Sequence, residues 1–161
     1  RGGNTPLSAW LDTIGAELYL LYRAGVSSIA SELREVAKAR DEAEFALGAG
    51  KLYRSQERIH RYERLGIARL LYGMPVQVRE DFLREVLPSR VLESLSQEMR
   101  ETIFSFLEHG GQVADTARSL YIHRNTLLYR LDRIAELTGW DIRNPLQGWT
   151  LWLALSLSRT R

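Results

Sequence analysis

The segment from His109 to Ile134, HGGQVADTARSLYIHRNTLLYRLDRI, constrains this chain more than any other. It reads as a short helix, a tight turn and a second helix. The second helix opens with the polar residues His123, Arg124, Asn125 and Thr126, then repeats Leu127, Leu131 and Ile134. That spacing puts three apolar side chains on one side of a helix. Arg124, Asn125, Leu128, Tyr129 and Asp132 are left on or near the other side. A buried stripe holding a helix whose exposed first turn carries Arg and Asn is what major-groove reading requires. Arg donates two bonds to a guanine edge, Asn pairs with an adenine edge, and the helix N-terminus favours a phosphate. The pattern is that of a helix-turn-helix and implies a chain that binds DNA. The turn, Leu120-Tyr121-Ile122, has no glycine, so Tyr121 is expected in a left-handed conformation at some cost. Ala114 and Ala117, at i and i+3, are expected to let the two helices approach closely. The blander alternative is a helical hairpin with a solvated arginine face, which does not require this order of small, turn and donor residues.

Net charge over 161 residues is only +2, a weak pointer to nucleic acid. Its distribution says more. Residues 112–161 carry seven arginines against four acids, a balance of +3, while the remainder holds 15 basic and 16 acidic residues, or −1. The excess lies with the motif, as an electrostatic footprint on phosphate needs. It is modest, so one copy should bind weakly. With no cysteine in the sequence, disulfides, thiol catalysis and thiolate metal sites are excluded together, which fits a cytoplasmic protein. No apolar run is long enough to span a bilayer and no signal peptide is recognisable.

The remaining chain divides into a mixed front and a helical back. Arg1 to Pro6 are expected to fray, and Leu7 to Ile14 to form a short helix. Leu18-Tyr19-Leu20-Leu21-Tyr22, running on to Gly25, is the best strand candidate. Ser31 to Leu47 has helical spacing, with Ile29, Leu33, Val36, Ala43 and Leu47 on one face, and Gly48-Ala49-Gly50 as its stop. Ile59 to Tyr62 reads as a second strand, Gly66 to Tyr72 as the start of a helix, and Gly73-Met74-Pro75 as a break. Only helices follow: about 78–86, 90–95, 97–108 with Met99, Ile103, Phe106 and Leu107 inward, then the two motif helices at 113–119 and 124–137. Asn144-Pro145, an N-cap and first-turn proline, opens a final helix. That helix is apolar nearly all round, wider than one core requires. The expected organisation is an α/β fragment over 1–72, a helical linker over 73–96 and a helix-turn-helix domain over 97–161.

No catalytic constellation emerges. His60, His109 and His123 lie in unrelated segments, so a metal site is not supported, and His123 is better placed as a helix N-cap or phosphate contact. Asp41, Glu42 and Glu44 read as a solvated helix face rather than paired acid–base carboxylates. Nucleophile-elbow spacing and Gly-rich phosphate loops are both missing from the sequence. The chain is expected to be no enzyme and to need no cofactor.

One set of residues carries a family resemblance: Thr116-Ala117, Leu120, Ile122-His123-Arg124-Asn125-Thr126-Leu127, Tyr129-Arg130-Leu131, Arg133-Ile134 and Leu137-Thr138-Gly139. Over about the last 65 residues the chain resembles the C-terminal DNA-binding domain of PucR/CdaR-type bacterial transcription regulators, a helix-turn-helix similar to that of the Fis nucleoid protein. Leu128 departs from the pattern, where a basic residue is common. Upstream, Glu42-Ala43, Ala46-Leu47, Ile59-His60-Arg61-Tyr62, Leu65-Gly66 and Leu70-Leu71 resemble the end of the GGDEF-like domain that precedes this module in the family. Ala39 stands where a serine is usual, the front half of that domain is missing, and no GGDEF sequence is present. The resemblance therefore implies no cyclase chemistry. It implies a cytoplasmic regulator, often an activator, of catabolic genes, whose small-molecule effector is sensed outside this chain.

Taken together, the expectation is a mainly α protein: a Fis-like helix-turn-helix domain preceded by a truncated α/β fragment. It should act as a homodimer on double-stranded DNA, with RNA polymerase as a further partner and no membrane association. Arg124 and Asn125 are the choices for base readout. His123, Thr126, Leu128, Tyr129, Arg130 and Arg133 complete the DNA-facing set, at phosphates or in support. Two other classes stay open. One is a helical dimerisation or protein-interaction module without DNA readout of its own; the other is a signalling enzyme built on the N-terminal part.

Overall fold

The computed structural model describes residues 5–19 and 21–160. Among them the chain forms nine α-helices and one small sheet, a mainly α protein as expected. It divides into two compact units, Arg1–Gly73 and Met74–Arg161.

The first unit is built on a β–α–β crossover. α1 spans Thr5–Leu18, β1 Ala24–Val26, α2 Val36–Tyr53, β2 Ile59–Arg61 and α3 Ile67–Gly73. β1 and β2 pair in parallel, from Ala24 opposite Ile59 to Val26 opposite Arg61. Parallel neighbours need a long crossover, and α2 supplies it. The core beneath α2 is made of small and aromatic groups: Ala46, Ala49, Leu65 and Ala68, with Phe45, Tyr53 and Tyr62 packed around them.

Close approach of α2 to the sheet explains several departures from the sequence reading. The helix does not stop at Gly48-Ala49-Gly50 but runs through them to Tyr53. A β-carbon on Gly50 would lie 2.0 Å from Cγ of His60, and one on Gly25 would lie 1.9 Å from the Ala43 carbonyl oxygen. These glycines are there for space, not as helix stops. The inward row of α2 is Glu42, Ala46, Ala49 and Gly50, whereas Ile29, Leu33 and Val36, expected inside, are exposed. The strand expected over 18–22 is also displaced. α1 continues to Leu18 and ends at Tyr19, whose φ is 53°. Leu20 lies outside the described residues, as do Arg1 to Asn4 of the segment expected to fray.

Of the acidic cluster on α2, Asp41 and Glu44 are solvated as expected, but Glu42 is buried. Its carboxylate accepts hydrogen bonds from the hydroxyl of Ser28 and, at 2.9 Å, from the Ser28 backbone N–H. Those bonds from Ser28 hold the Glu42 carboxyl below the usual carboxylate range.

The second unit is helical throughout: α4 Val76–Val86, α5 Ser89–Ser94, α6 Gln97–Glu108, α7 Val113–Ser119, α8 Arg124–Thr138 and α9 Pro145–Leu157. The stretch read as a linker supplies α4 and α5 to this unit. Arg100 of α6 donates to the carbonyls of Leu92 and Leu95 at 2.7 and 3.1 Å, tying α5 down. Trp140 Nε1 donates to the Val86 carbonyl at 3.1 Å, tying the end of α4 to the loop after α8. The core joins Ile103 and Phe106 of α6 with Leu127, Leu131 and Ile134 of α8, Ile142, and Leu151 and Leu157 of α9. Met99 and Leu107, expected inside, are half-buried, while Thr102 and Ser105 take the inner positions. Thr102 does so at no polar cost, because its hydroxyl donates to the Glu98 carbonyl at 2.7 Å.

The glycine argument in α2 is testable. Gly50→Ala gains about 1 kcal/mol of helix propensity but drives a methyl into the His60 ring. Overpacking of that kind costs about 1–3 kcal/mol. A net fall in the urea midpoint is expected; a rise would show that the α2–β2 spacing is not set by this contact.

Candidate nucleic-acid interface

α7, the turn and α8 assemble as the sequence pattern requires. Gly110 and Gly111, at φ 60° and 76°, end the run from α6. α7 seats Thr116 and Ala117 inward, and the Thr116 hydroxyl donates to the Gln112 carbonyl at 2.8 Å. Ala114 is exposed, so only Ala117 of the expected pair gives the close helix approach. In the turn, the Tyr121 N–H donates to the Arg118 carbonyl at 3.1 Å and the Ile122 N–H to the Ala117 carbonyl at 3.0 Å. Tyr121 itself sits at φ 54°, the left-handed geometry expected of it.

His123 is the N-cap of α8, with extended backbone angles. Its Nδ1 accepts from the Asn125 backbone N–H at 3.2 Å. As an acceptor Nδ1 carries no proton, so the ring's proton is on Nε2. Behind the cap, Leu127, Leu131 and Ile134 are each 0% exposed. α8 closes at Gly139, φ 75°, the common left-handed helix end. The stripe is therefore complete, and it dictates what the other side presents.

Arg124, Asn125 and Thr126 are exposed on the first turn, and their side chains have no hydrogen-bond or ion-pair partner among the described residues. Tyr129 is exposed as well. The structure brings these four and His123 to the outer side of one helix. It treats the other expected residues differently. Leu128 is half-buried. Arg130 is also half-buried and leans on α6, its Nη1 3.5 Å from the Thr102 hydroxyl. Arg133 is exposed but held by Glu136 one turn on, at 2.8 Å.

A further network was not anticipated. Arg143, in the loop before α9, bonds Asp132 of α8 through Nη1 and Asp141 through Nε, both at 2.8 Å. The Arg143 backbone N–H adds a bond to Asp141 at 3.0 Å. The Arg143 bond holds Asp141 below its ordinary value and raises Arg143 above its own. The signal available was Asp141, a turn-forming residue two before Arg143: the Asn144 N–H donates to the Asp141 carbonyl at 3.0 Å, and this tight turn brings the two side chains together. Arg118 is likewise paired, with Asp115 at 3.1 Å. Among the described residues no group of three or more His, Cys, Asp or Glu side chains gathers as a metal site. His60 is buried in the first unit, and its desolvation pushes its pKa down.

A capped helix seated on a buried stripe, behind a left-handed turn and a short helix, with free donors on its first turn, defines a helix-turn-helix domain. Residues 99–157 match the family described as the PucR C-terminal helix-turn-helix domain. The chain belongs to that family through this domain, the one carried by PucR/CdaR-type regulators. It is similar to the purine catabolism regulatory protein of Bacillus subtilis, 35% identical over 84% of this chain and 26% of that protein. The transcriptional activator PmfR of Paenarthrobacter nicotinovorans is 34% identical over 82% of this chain and 27% of its own. The carbohydrate diacid regulator of Escherichia coli is 29% identical over 88% and 37%. All three are regulators by name rather than enzymes. The chain spans between 26% and 37% of the length of these relatives.

The cap gives a direct test. His123→Ala should cost about 1 kcal/mol of stability, as loss of an N-cap does, while His123→Asn should lose little because Asn caps well. Urea unfolding of both variants checks this. Equal losses for Ala and Asn would show that the imidazole acts by packing instead.

Proposed function

We propose that this chain is the C-terminal part of a sequence-specific transcription regulator that places α8 in the major groove. The observation that carries the reading is the division of α8. Leu127, Leu131 and Ile134 are fully buried, while Arg124, Asn125 and Thr126 are exposed and unpartnered on its first turn. Donors left free at a helix start, on a rigid seat, suit base edges. Arg124 and Asn125 read bases in this scheme. His123, through Nε2–H, Thr126, Tyr129 and Arg133 serve phosphates, with Leu128 at the margin. Arg130 acts chiefly as support, given its reach to Thr102.

The wider reading takes catabolism and transcriptional activation from the relatives' names and the rest from the family resemblance of the sequence. A cytoplasmic regulator of catabolic genes, activating transcription through RNA polymerase, would use this domain for DNA and a region outside the chain for its effector. The first unit, with its β–α–β crossover, fits the end of a GGDEF-like domain in a non-catalytic role. Among the described residues no helix is long and apolar enough to cross a membrane.

Low affinity per copy argues for two copies on a two-half-site operator. α9 offers a surface for pairing. Leu146 is 78% and Trp149 53% exposed, and Trp149 stacks edge-on against half-buried Trp152 at 5.6 Å. Leu155, on the same apolar helix, is buried in the unit's own core and takes no part in that surface. The same patch favours the second reading, a protein-interaction module, should DNA binding prove absent or independent of salt.

Selection of bound duplexes from a random pool tests the main reading. On the selected site Arg124→Ala should cost about 1–3 kcal/mol, and much less on random DNA. Equal losses on both would make Arg124 a phosphate ligand. For the pairing surface, Leu146→Gln with Trp149→Gln should give a folded chain that sediments as a monomer and binds the operator weakly. Tight operator binding by an unmodified chain that is monomeric at tens of micromolar would remove the dimer from the scheme.

A further inference from the structure

Tyr121 carries a conformational cost that nothing inside the fold repays. At φ 54° it occupies the left-handed region that glycine enters most readily and that a β-carbon disfavours. Its side chain is 95% exposed, and its hydroxyl has no partner among the described residues. Neither packing nor internal hydrogen bonding therefore accounts for a large aromatic where glycine fits best. Tyr19 shares the conformation and exposure, but it merely ends α1 in the first unit. Tyr121 stands two residues before His123, the cap of α8. Two residues of chain span at most about 7 Å, so its ring lies beside the end of α8 that carries the free donors. Strain of this kind gathers at functional sites.

We propose that Tyr121 is a DNA-backbone contact: its phenol O–H donates a hydrogen bond to a phosphate oxygen flanking the base pairs met by the first turn of α8. The inference rests on the reading of α8 as the recognition helix. In helix-turn-helix docking that turn of the helix goes to the base edges, and the sugar–phosphate strand walls the groove on either side. Tyrosine is one of the side chains that bond phosphate oxygens and so fix register without reading sequence. Three properties follow. The contact acts on all sequences alike. Being neutral, it releases no counterion and leaves the salt slope unchanged. It also spares the fold, because the hydroxyl touches nothing there.

The test uses the intact chain, with the selected operator and a scrambled duplex as probes, and compares Tyr121→Phe, Tyr121→Gly and Arg124→Ala. Tyr121→Phe should weaken binding to both duplexes about two- to tenfold, the range of one hydrogen bond, with salt slope and urea midpoint unchanged. Tyr121→Gly should weaken both at least as much while keeping its urea midpoint, since relieved strain offsets a looser unfolded chain. If Tyr121→Phe binds both duplexes like the unmodified protein while Arg124→Ala loses the operator, the Tyr121 contact is overturned and the reading of α8 stands. If Arg124→Ala is also without effect, the reading of α8 itself fails. A lowered urea midpoint for Tyr121→Phe would put the hydroxyl to work inside the fold and overturn the contact.

Discussion

Burial of Leu127, Leu131 and Ile134 is the interaction on which the second unit depends. Each is wholly removed from water, and full burial of such a side chain contributes about 1.5–3 kcal/mol. Three of them on one helical face contribute an amount comparable with the whole net stability of a typical domain, about 5–15 kcal/mol. Their geometry matters as much as their energy. Once the stripe is seated against α6 and α7, the rotation of α8 about its axis is set, and with it which residues face outward. Arg124 and Asn125 are presented because the stripe leaves them no other place.

Seating a helix also requires fixing its two ends, and different devices do so. At the start, the His123 imidazole satisfies the Asn125 N–H, and the left-handed Tyr121 turns the chain from α7 into α8. At the far end, Gly139 stops the helix and Arg143 clamps Asp132 to Asp141. That clamp joins α8 to the loop leading into α9, and Trp140 joins the same loop to α4. An isolated exposed ion pair contributes little. A guanidinium shared by two carboxylates, with its own backbone N–H bonded to one of them, holds the loop more firmly than a single pair.

What the sequence made legible follows from how local each determinant is. The end of α6 and the boundaries of α7 through α9 could be read because their breaks and caps are encoded within a few residues: Gly110-Gly111, His123, Gly139, Asn144-Pro145. The left-handed Tyr121 was legible because a turn of that length needs one. The first unit was harder, since its determinants are long-range. Gly50 looks like a helix stop until His60, ten residues on, is seen to need the space. Ile29 and Leu33 look like a core face, yet α2 meets the sheet through alanine and glycine, and Ile29, Leu33 and Val36 stay outside. The outer face of α8 was legible only in part: Arg124, Asn125, Thr126, Tyr129 and Arg133 are exposed, while Leu128 and Arg130 are half-buried. Whether Arg130 turns outward or toward Thr102 depends on α6, which spacing along α8 does not contain.

The arginine excess over 112–161 is smaller in effect than its count. Arg118, Arg133 and Arg143 are in ion pairs, and Arg159 stands 4.7 Å over the Phe104 ring. Arg124 alone among the described arginines of that segment combines exposure with freedom from any ion pair, hydrogen bond or ring contact. The pairs differ in how readily they exchange for phosphate. Arg118–Asp115 and Arg133–Glu136 are exposed pairs at i, i+3, worth a few tenths of a kcal/mol, roughly 0.3–0.5. A phosphate that neutralises either arginine loses little by displacing its partner, though the freed carboxylate then stays nearby and repels it. Arg143 exchanges at the cost of the clamp behind α8. On the proposed reading of α8, electrostatic attraction to DNA is thereby kept weak for a single copy, while the first turn stays unpartnered and open to base edges.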